Sequence, residues 1–373
     1  MTAVGRDRAW FEALFEGVKN WGRWGADDER GALNLLTPER TAAAAATVRN
    51  GRTISCALDL ATQAGPDNPR PAEHFMITAG DARADNPVPG FEQSNDFFGV
   101  ACHGMAFTHV DALCHNFVDG LMYNGVPAHE VTSHGARRNS IMAAAPGICG
   151  RGVLLDIARA TGERWLAPNR RITVAELERA ERDQGVTVGP GDILLVGTGR
   201  SHRRREEGPA DHAEGMAGLD AECVPWLRQR DVAVLAGDGI SDALGGEMTP
   251  GWPMPIHQCL IAAMGVHLID NVDLVALTDA CVDEGRWSFF LAVAPLRLLG
   301  DPGADRGVGR PDDRPLPRRA ARRRRAGSRR TRCRRAGGGA PPRGRTTTGS
   351  RRRTHPSAPR GRRCRSGARP WQR

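Results

Sequence analysis

Residues 102–125 read CHGMAFTHVDALCHNFVDGLMYNG, and the reading of this stretch decides the fold class. His103, His109, Asp111 and His115 fall within thirteen residues, Thr108 precedes the second histidine, and the turn formers Asp119-Gly120 and Tyr123-Asn124-Gly125 follow the last. Neutral imidazoles with a carboxylate are the usual ligands of a zinc- or manganese-type ion. One histidine alone is more often a hydrogen-bonded core or surface residue, but three with an aspartate this close favour a divalent-metal site. Asp111 and His115 are four apart, so a helix beginning near Asp111 would put them on one face.

Around this segment the chain alternates helix and strand signals. Trp10, Phe11, Leu14, Phe15 and Val18 recur at helical spacing, and the loop after them carries Trp21 and Trp24. Thr37-Pro38-Glu39 opens a second helix running to about Val48, and Thr53–Leu60 reads as a strand. Residues 62–95, rich in Pro, Gly, Asp and Asn, read as an irregular connection. Thr173-Val-Ala-Glu176 is a capping box for a helix to about Gln184, closed by Gly185. Apolar runs at 151–157, 192–197, 232–238 and 289–294 read as buried strands, with helices near 220–229 and 257–264. This order predicts an α/β domain with a largely buried sheet. Gly197-Thr198-Gly199 lacks both a third glycine and a Gly-Lys-Ser/Thr, which argues against a nucleotide loop.

The formal charge of +9 conceals two opposite halves. Residues 301–373 hold 25 Arg and 4 Asp, which leaves 27 basic and 39 acidic residues, a net of −12, in residues 1–300. The body therefore reads as an acidic protein, without a nucleic-acid motif, followed by a basic appendix. Nine cysteines without a CxxC pair, no signal peptide and no long apolar run predict a cytoplasmic chain with reduced thiols and no membrane span.

THVDALCH, DGLMYNG, GRGVLLDIAR, VGPGDILLVGTG, PIHQCLIAAMGVHLIDN and FFLAVAPLRLLG follow one another in an order that resembles the bacterial cyclase family, which includes kynurenine formamidase and isatin hydrolase. The resemblance spans roughly residues 20–300 and implies a swivelling β/β/α fold, a homo-dimer or tetramer, and hydrolysis of an amide bond with one or two divalent ions, zinc or manganese. It implies His109 and Asp111 as metal ligands and His115 as acid/base. Met105 stands where the family has its first histidine and Phe107 where it has glycine. The nearest substitute is His103, whose neighbour Gly104 could turn it inward, either as a ligand or as a supporting residue. The flanking pattern puts His257 and Asp270 in the places of a second ligand pair, with Asp for the family's Glu.

The implied substrate is a small-molecule amide, N-formylkynurenine first and a cyclic amide such as isatin second; a catalytically decayed binding protein on the same scaffold is the remaining alternative. An aromatic substrate needs an apolar wall, for which Trp24, Phe97, Phe98 and Tyr123 are candidates on composition. Residues 1–50 are expected to pack as a helical segment on a catalytic domain of residues 51–300. The Arg-rich segment 301–373 is expected to be disordered, because aliphatic residues are too few there to offset the entropy of ordering. Its Arg/Pro/Gly/Ala composition, in a chain whose one lysine is Lys19, points to a GC-rich gene read out of frame near residue 301, against a genuine basic arm. On the first reading, the DNA beyond codon 301 should encode a family-like ending in another frame; its absence from all frames would favour the arm.

Overall fold

The computed structural model describes residues 6–81, 90–245 and 249–299, without the side chain of His212. The Arg-rich segment, with its expected disorder, lies outside the described residues. Strands longer than two residues are β1 (Glu73–Thr78), β2 (Asn95–Gly99), β3 (His109–Asp111), β4 (Ile148–Asp156), β5 (Ile193–Gly197), β6 (Val234–Gly237), β7 (His267–Asp270) and β8 (Ser288–Val293). The main helices are α1 (Arg8–Val18), α2 (Pro38–Ala45), α3 (Val174–Gln184), α4 (Arg200–Glu207), α5 (Cys223–Gln229), α6 (Pro255–His257, continued as a π-helix over Gln258–Met264) and α7 (Val275–Glu284).

Six strands form one sheet in the order β8-β4-β5-β6-β7-β3. The four central strands are parallel, and β8 and β3 close the edges antiparallel. Parallel strands covered on both faces read as continuous apolar runs, and Val153-Leu154-Leu155, Ile193 to Val196 and Val234-Leu235 are buried throughout. Full burial of each such side chain stabilises by about 1.5–3 kcal/mol, so these strands anchor the fold. Phe11, Phe15 and Val18 of α1 join the same core, and Asn20 fixes the end of this segment through its amide to the Met264 carbonyl at 2.9 Å. The expected α/β class is what the chain adopts.

Local signals that carry their own hydrogen bonds read correctly. Thr173 and Glu176 form the reciprocal capping box of α3, and left-handed Gly185 ends it. Thr37 caps α2, with Pro38 at its first position, although the helix stops at Ala45, short of Val48. Two expectations are corrected. Thr53–Leu60 makes no strand, because its main chain bonds outward: the Leu58 amide donates to Thr108 Oγ1 at 2.9 Å, and the Cys56 carbonyl accepts from Asp273. Within the stretch expected to be irregular, Glu73–Thr78 forms a strand, since β1 pairs antiparallel with β2. No helix among the described residues is long and apolar enough to cross a membrane.

His267, the first residue of β7, is fully buried, and neither ring nitrogen has a hydrogen-bond partner. Burial pushes its pKa down from 6.5 to about 4. The unfolded chain therefore binds a proton that the folded chain refuses, and the stability present above pH 6.5 is lost as pH falls from 6.5 towards 4. The His267→Leu variant should remove up to one proton from the pH dependence of unfolding in that window. Denaturant titrations at several pH values check this, and equal slopes for the two proteins would contradict it.

Candidate metal centre

The edge of the sheet builds the site. His109 lies opposite Asp270 across the β3–β7 pair, and Asp111 lies opposite Leu268. Residues two apart on a strand share a face, as do directly opposed residues, so His109, Asp111 and Asp270 project together. All three are buried: His109 is 8% exposed, Asp111 0% and Asp270 1%. His257, 2% exposed, enters from the first turn of α6, with Nε2 3.3 Å from Asp111 Oδ2 and 3.3 Å from Asp270 Oδ2.

His103 completes the cluster from the loop before β3. Gly104 beside it adopts φ +151°, a backbone conformation that side-chain-bearing residues rarely take, and the chain turns so that His103 Nδ1 stands 3.0 Å from Asp111 Oδ1. The His103 ring stacks on His115 at 4.1 Å between centroids and meets His109 edge-on at 4.9 Å. Met105, in the sequence place expected for a histidine, has no part in the cluster. Asp111 does not start a helix. It ends a strand, and the turn closed by the His115 amide on the Ala112 carbonyl, at 2.9 Å, brings His115 Nε2 back to 3.8 Å from Asp111 Oδ1. The spacing of four is met by a turn because pairing with β7 holds Asp111 extended.

Two groups of side chains present ligand atoms that all lie within 4.8 Å of one another: His103, His109 and Asp111, and Asp111, His257 and Asp270. Asp111 belongs to both. Its two oxygens are buried and accept no aligned hydrogen bond, although imidazole nitrogens surround them. Buried acceptors without a donor are costly, and lone pairs converging from imidazole and carboxylate fit a cation in their midst. The donors, nitrogen and oxygen without sulfur, suit zinc or manganese. The His109 Nδ1 lies 2.8 Å from the Phe107 carbonyl, which assigns the proton to Nδ1 and leaves Nε2 as the ligand atom.

Electrostatics follow from the same crowding. Burial pushes the Asp111 carboxyl up, but His103, His257 and His115 outweigh it and hold the group well below the usual carboxylate range. Burial pushes Asp270 up despite His257. The close approach of the Asp111 carboxylate, then Cys102, holds His103 up at about 10, whereas burial carries His115 down to about 4. A divalent ion held by these residues would take the place of protons on the imidazoles, so its affinity should depend on pH.

Supporting residues escaped the sequence. The Asp242 carboxylate accepts from His257 Nδ1 at 2.6 Å and from the main-chain amides of Ile256 and His257 at 2.8 and 3.0 Å. It therefore caps α6, where Pro255 has no N–H to offer, and orients the His257 ring in one stroke. Asn271 donates to the Gly104 and Phe107 carbonyls at 2.8 and 3.2 Å, and Thr108 donates to the Asn271 carbonyl at 2.6 Å. No local pattern flags either contact, because the partners are distant in the chain.

The expected aromatic wall is not assembled here. Tyr123 is a core residue, 0% exposed, with its hydroxyl donating to Asp28 and its ring against Gly265, where a Cβ would lie 2.5 Å from Cε2. Trp24 packs half-buried against the main core beneath the Arg23 guanidinium. Phe97 and Phe98 sit exposed on β2, Phe97 stacked on Phe75 at 5.0 Å. Among the described residues, none of these four rings stands against a ring of the histidine cluster.

Residues 57–242 match the model of the Cyclase family. The crystal structure of a novel cyclase is 32% identical over 77% of this chain and 95% of its own, with a TM-score of 0.69. An isatin hydrolase bound to the product analogue thioisatinate is 17% identical over 66% of this chain and 87% of its own, TM-score 0.44. Isatin hydrolase A from Labrenzia aggregata, bound to benzyl benzoate, is 20% identical over 65% and 88%, TM-score 0.44. No curated protein matches the chain.

Asp242 offers a test of how the centre is positioned. The Asp242→Asn variant keeps an acceptor for the α6 amides but weakens the hold on His257 Nδ1. Metal affinity should fall about 10–100-fold, measured by competition with a chromophoric chelator, while the fold persists. Unchanged affinity would remove Asp242 from the account.

Proposed function

This chain belongs to the Cyclase family, and from that premise and the geometry of its histidine–aspartate cluster we propose that it is a metal-dependent hydrolase of amide bonds, with N-formylkynurenine the first substrate to try and isatin the second. One observation carries the reading: Asp111, buried and accepting no aligned hydrogen bond, is shared by two three-residue ligand sets. That arrangement suits one or two ions, with Asp111 a candidate ligand in either set.

An amide is a poor electrophile and neutral water a poor nucleophile. A divalent ion, when bound, polarises the carbonyl and lowers the pKa of a coordinated water towards ~7. His109, Asp111 and His103 would hold one ion, and His257 and Asp270 would complete a second site. Asp242 would keep the His257 ring turned so that Nε2 faces the centre. His103 and His115 have the more exposed side chains, 48% and 34%, and form the open side on which a substrate can approach. With its pKa held down at about 4 by burial, His115 is unprotonated at neutral pH and can accept a proton. It would take that proton from the attacking water as the oxygen joins the carbonyl carbon, and return it to the nitrogen as the C–N bond breaks.

The expected homo-oligomer has support in the β1–β2 hairpin, where Phe75, Phe97 and Phe98 are 55%, 42% and 55% exposed. A two-stranded ribbon with apolar side chains in solvent is marginal alone, and a partner subunit would cover it.

Elemental analysis of the purified protein should find near-stoichiometric zinc or manganese. The Asp111→Ala variant should lose metal and turnover together, whereas His115→Ala should keep its metal and lose about 10²–10⁴-fold in turnover of an aryl formamide or cyclic amide. Near-normal turnover by His115→Ala would overturn its assignment, and a fully active metal-free protein would overturn the proposal.

A further inference from the structure

Beside the loop that carries His103 lies a small cavity of about 40 Å³, lined among others by Met105, Thr198 and Met216, with Arg200, Arg203 and Arg204 outnumbering the carboxylates of Asp67 and Asp211. Its cations are unequally matched. Arg203 is paired with Glu207 at 2.7 Å and with Glu214 at 2.9 Å, and Arg204 with Asp67 at 2.7 Å. Arg200, at the first position of α4, gives its guanidinium hydrogens to two main-chain carbonyls, those of Met105 at 2.9 Å and Asp238 at 3.2 Å. The nearby Asp238 carboxylate is turned away, accepting from the Thr198 amide at 2.9 Å and hydroxyl at 2.8 Å. Arg200 thus has five N–H donors, two of them engaged by carbonyls and none by a carboxylate.

Burial draws the Arg200 pKa below its ordinary value, so the surroundings do not fully compensate its charge. A planar fork with free N–H groups is matched by a carboxylate, which can accept two parallel bonds. The space admits a few water-sized groups, enough for a carboxylate. The position relative to the chemistry is fixed by the loop. Met105, whose carbonyl Arg200 holds, is two residues from His103 and two from Phe107, whose carbonyl receives the His109 ring.

We propose that this cavity is the subsite for a carboxylate carried by the substrate, with Arg200 as the residue that selects acidic amides over neutral ones. The proposal deepens the hydrolase reading and rests on it for the word substrate. A carboxylate seated on Arg200 would tether the molecule at one end of the His103 loop while the amide reaches the cluster. Thr198 and the Met105 and Met216 side chains shape the wall.

The test uses binding, so that it is read separately from turnover. Calorimetric titration of the full-length, metal-loaded protein with benzoate and with benzamide should show benzoate bound at least about tenfold tighter, as a charge-assisted pair allows. In Arg200→Gln the benzoate preference should largely vanish. No preference in the parent protein would overturn the proposal. So would a preference that survives in Arg200→Gln, which would assign the carboxylate to the metal, or an equal loss for both ligands, which would make Arg200 only a strut for the loop. Should Arg200→Gln not fold, butanedione modification of the parent protein, followed by mass spectrometry of the Arg200 peptide, replaces it. Benzoate should protect Arg200 and benzamide should not; equal protection or none would overturn the proposal. Failure of the hydrolase reading would appear separately, as no turnover of any amide in the presence of metal.

Discussion

A carboxylate with both oxygens buried and no hydrogen donor aligned to either has to be offset by positive charge, and Asp111 is such a group. Its position follows from the main chain: pairing of β3 with β7 fixes Asp111 opposite Leu268, at the edge of a sheet whose inner strands β5 and β6 are apolar and buried. Everything around it is arranged to meet that charge. Imidazoles arrive from a loop, a strand, a turn and a helix, and the second carboxylate, Asp270, comes from the neighbouring strand. A site with this inventory has little to gain as an apolar core and much to gain from an ion.

The same constraint explains the supporting residues. A histidine acts as a ligand through one nitrogen only when the other is committed, and here the commitments are the Phe107 carbonyl for His109 and Asp242 for His257. Asp242 also satisfies the first amides of α6, so helix position and ring orientation depend on one carboxylate. The loop from Gly104 to Phe107 is held by Asn271 on one side and Arg200 on the other. Displacing either would move His103 and the acceptor for His109 together.

How much of this was legible depends on the distance between partners. The capping box of α3, the cap of α2 and the buried strands could be read because their signals are local or repeat along one element. The cluster itself was legible as composition: His109, Asp111, His115, His257 and Asp270 were all singled out, and the structure brings their side chains together. The means was misread for Asp111 and His115, since spacing does not distinguish a helical turn from a strand followed by a tight turn. Asp242, Asn271 and Arg200 could not be read, because each acts on partners 14 to 167 residues away. Tyr123 was read as a substrate wall because an aromatic near a motif looks the same whether it faces a ligand or Gly265. His103 could be read only as an open choice, which the turn at Gly104 settles in favour of proximity to Asp111.

X-ray absorption spectroscopy of the metal-loaded protein at the zinc or manganese edge addresses the central claim most directly, because it reports the atoms around the ion without reference to any substrate. The account predicts a first shell of nitrogen and oxygen at about 2.0–2.2 Å, with outer-shell scattering from at least two imidazole rings, lost on Asp111→Ala. A sulfur shell near ~2.3 Å, as Cys102 would give, or a shell of water oxygens without imidazole scattering, would contradict it.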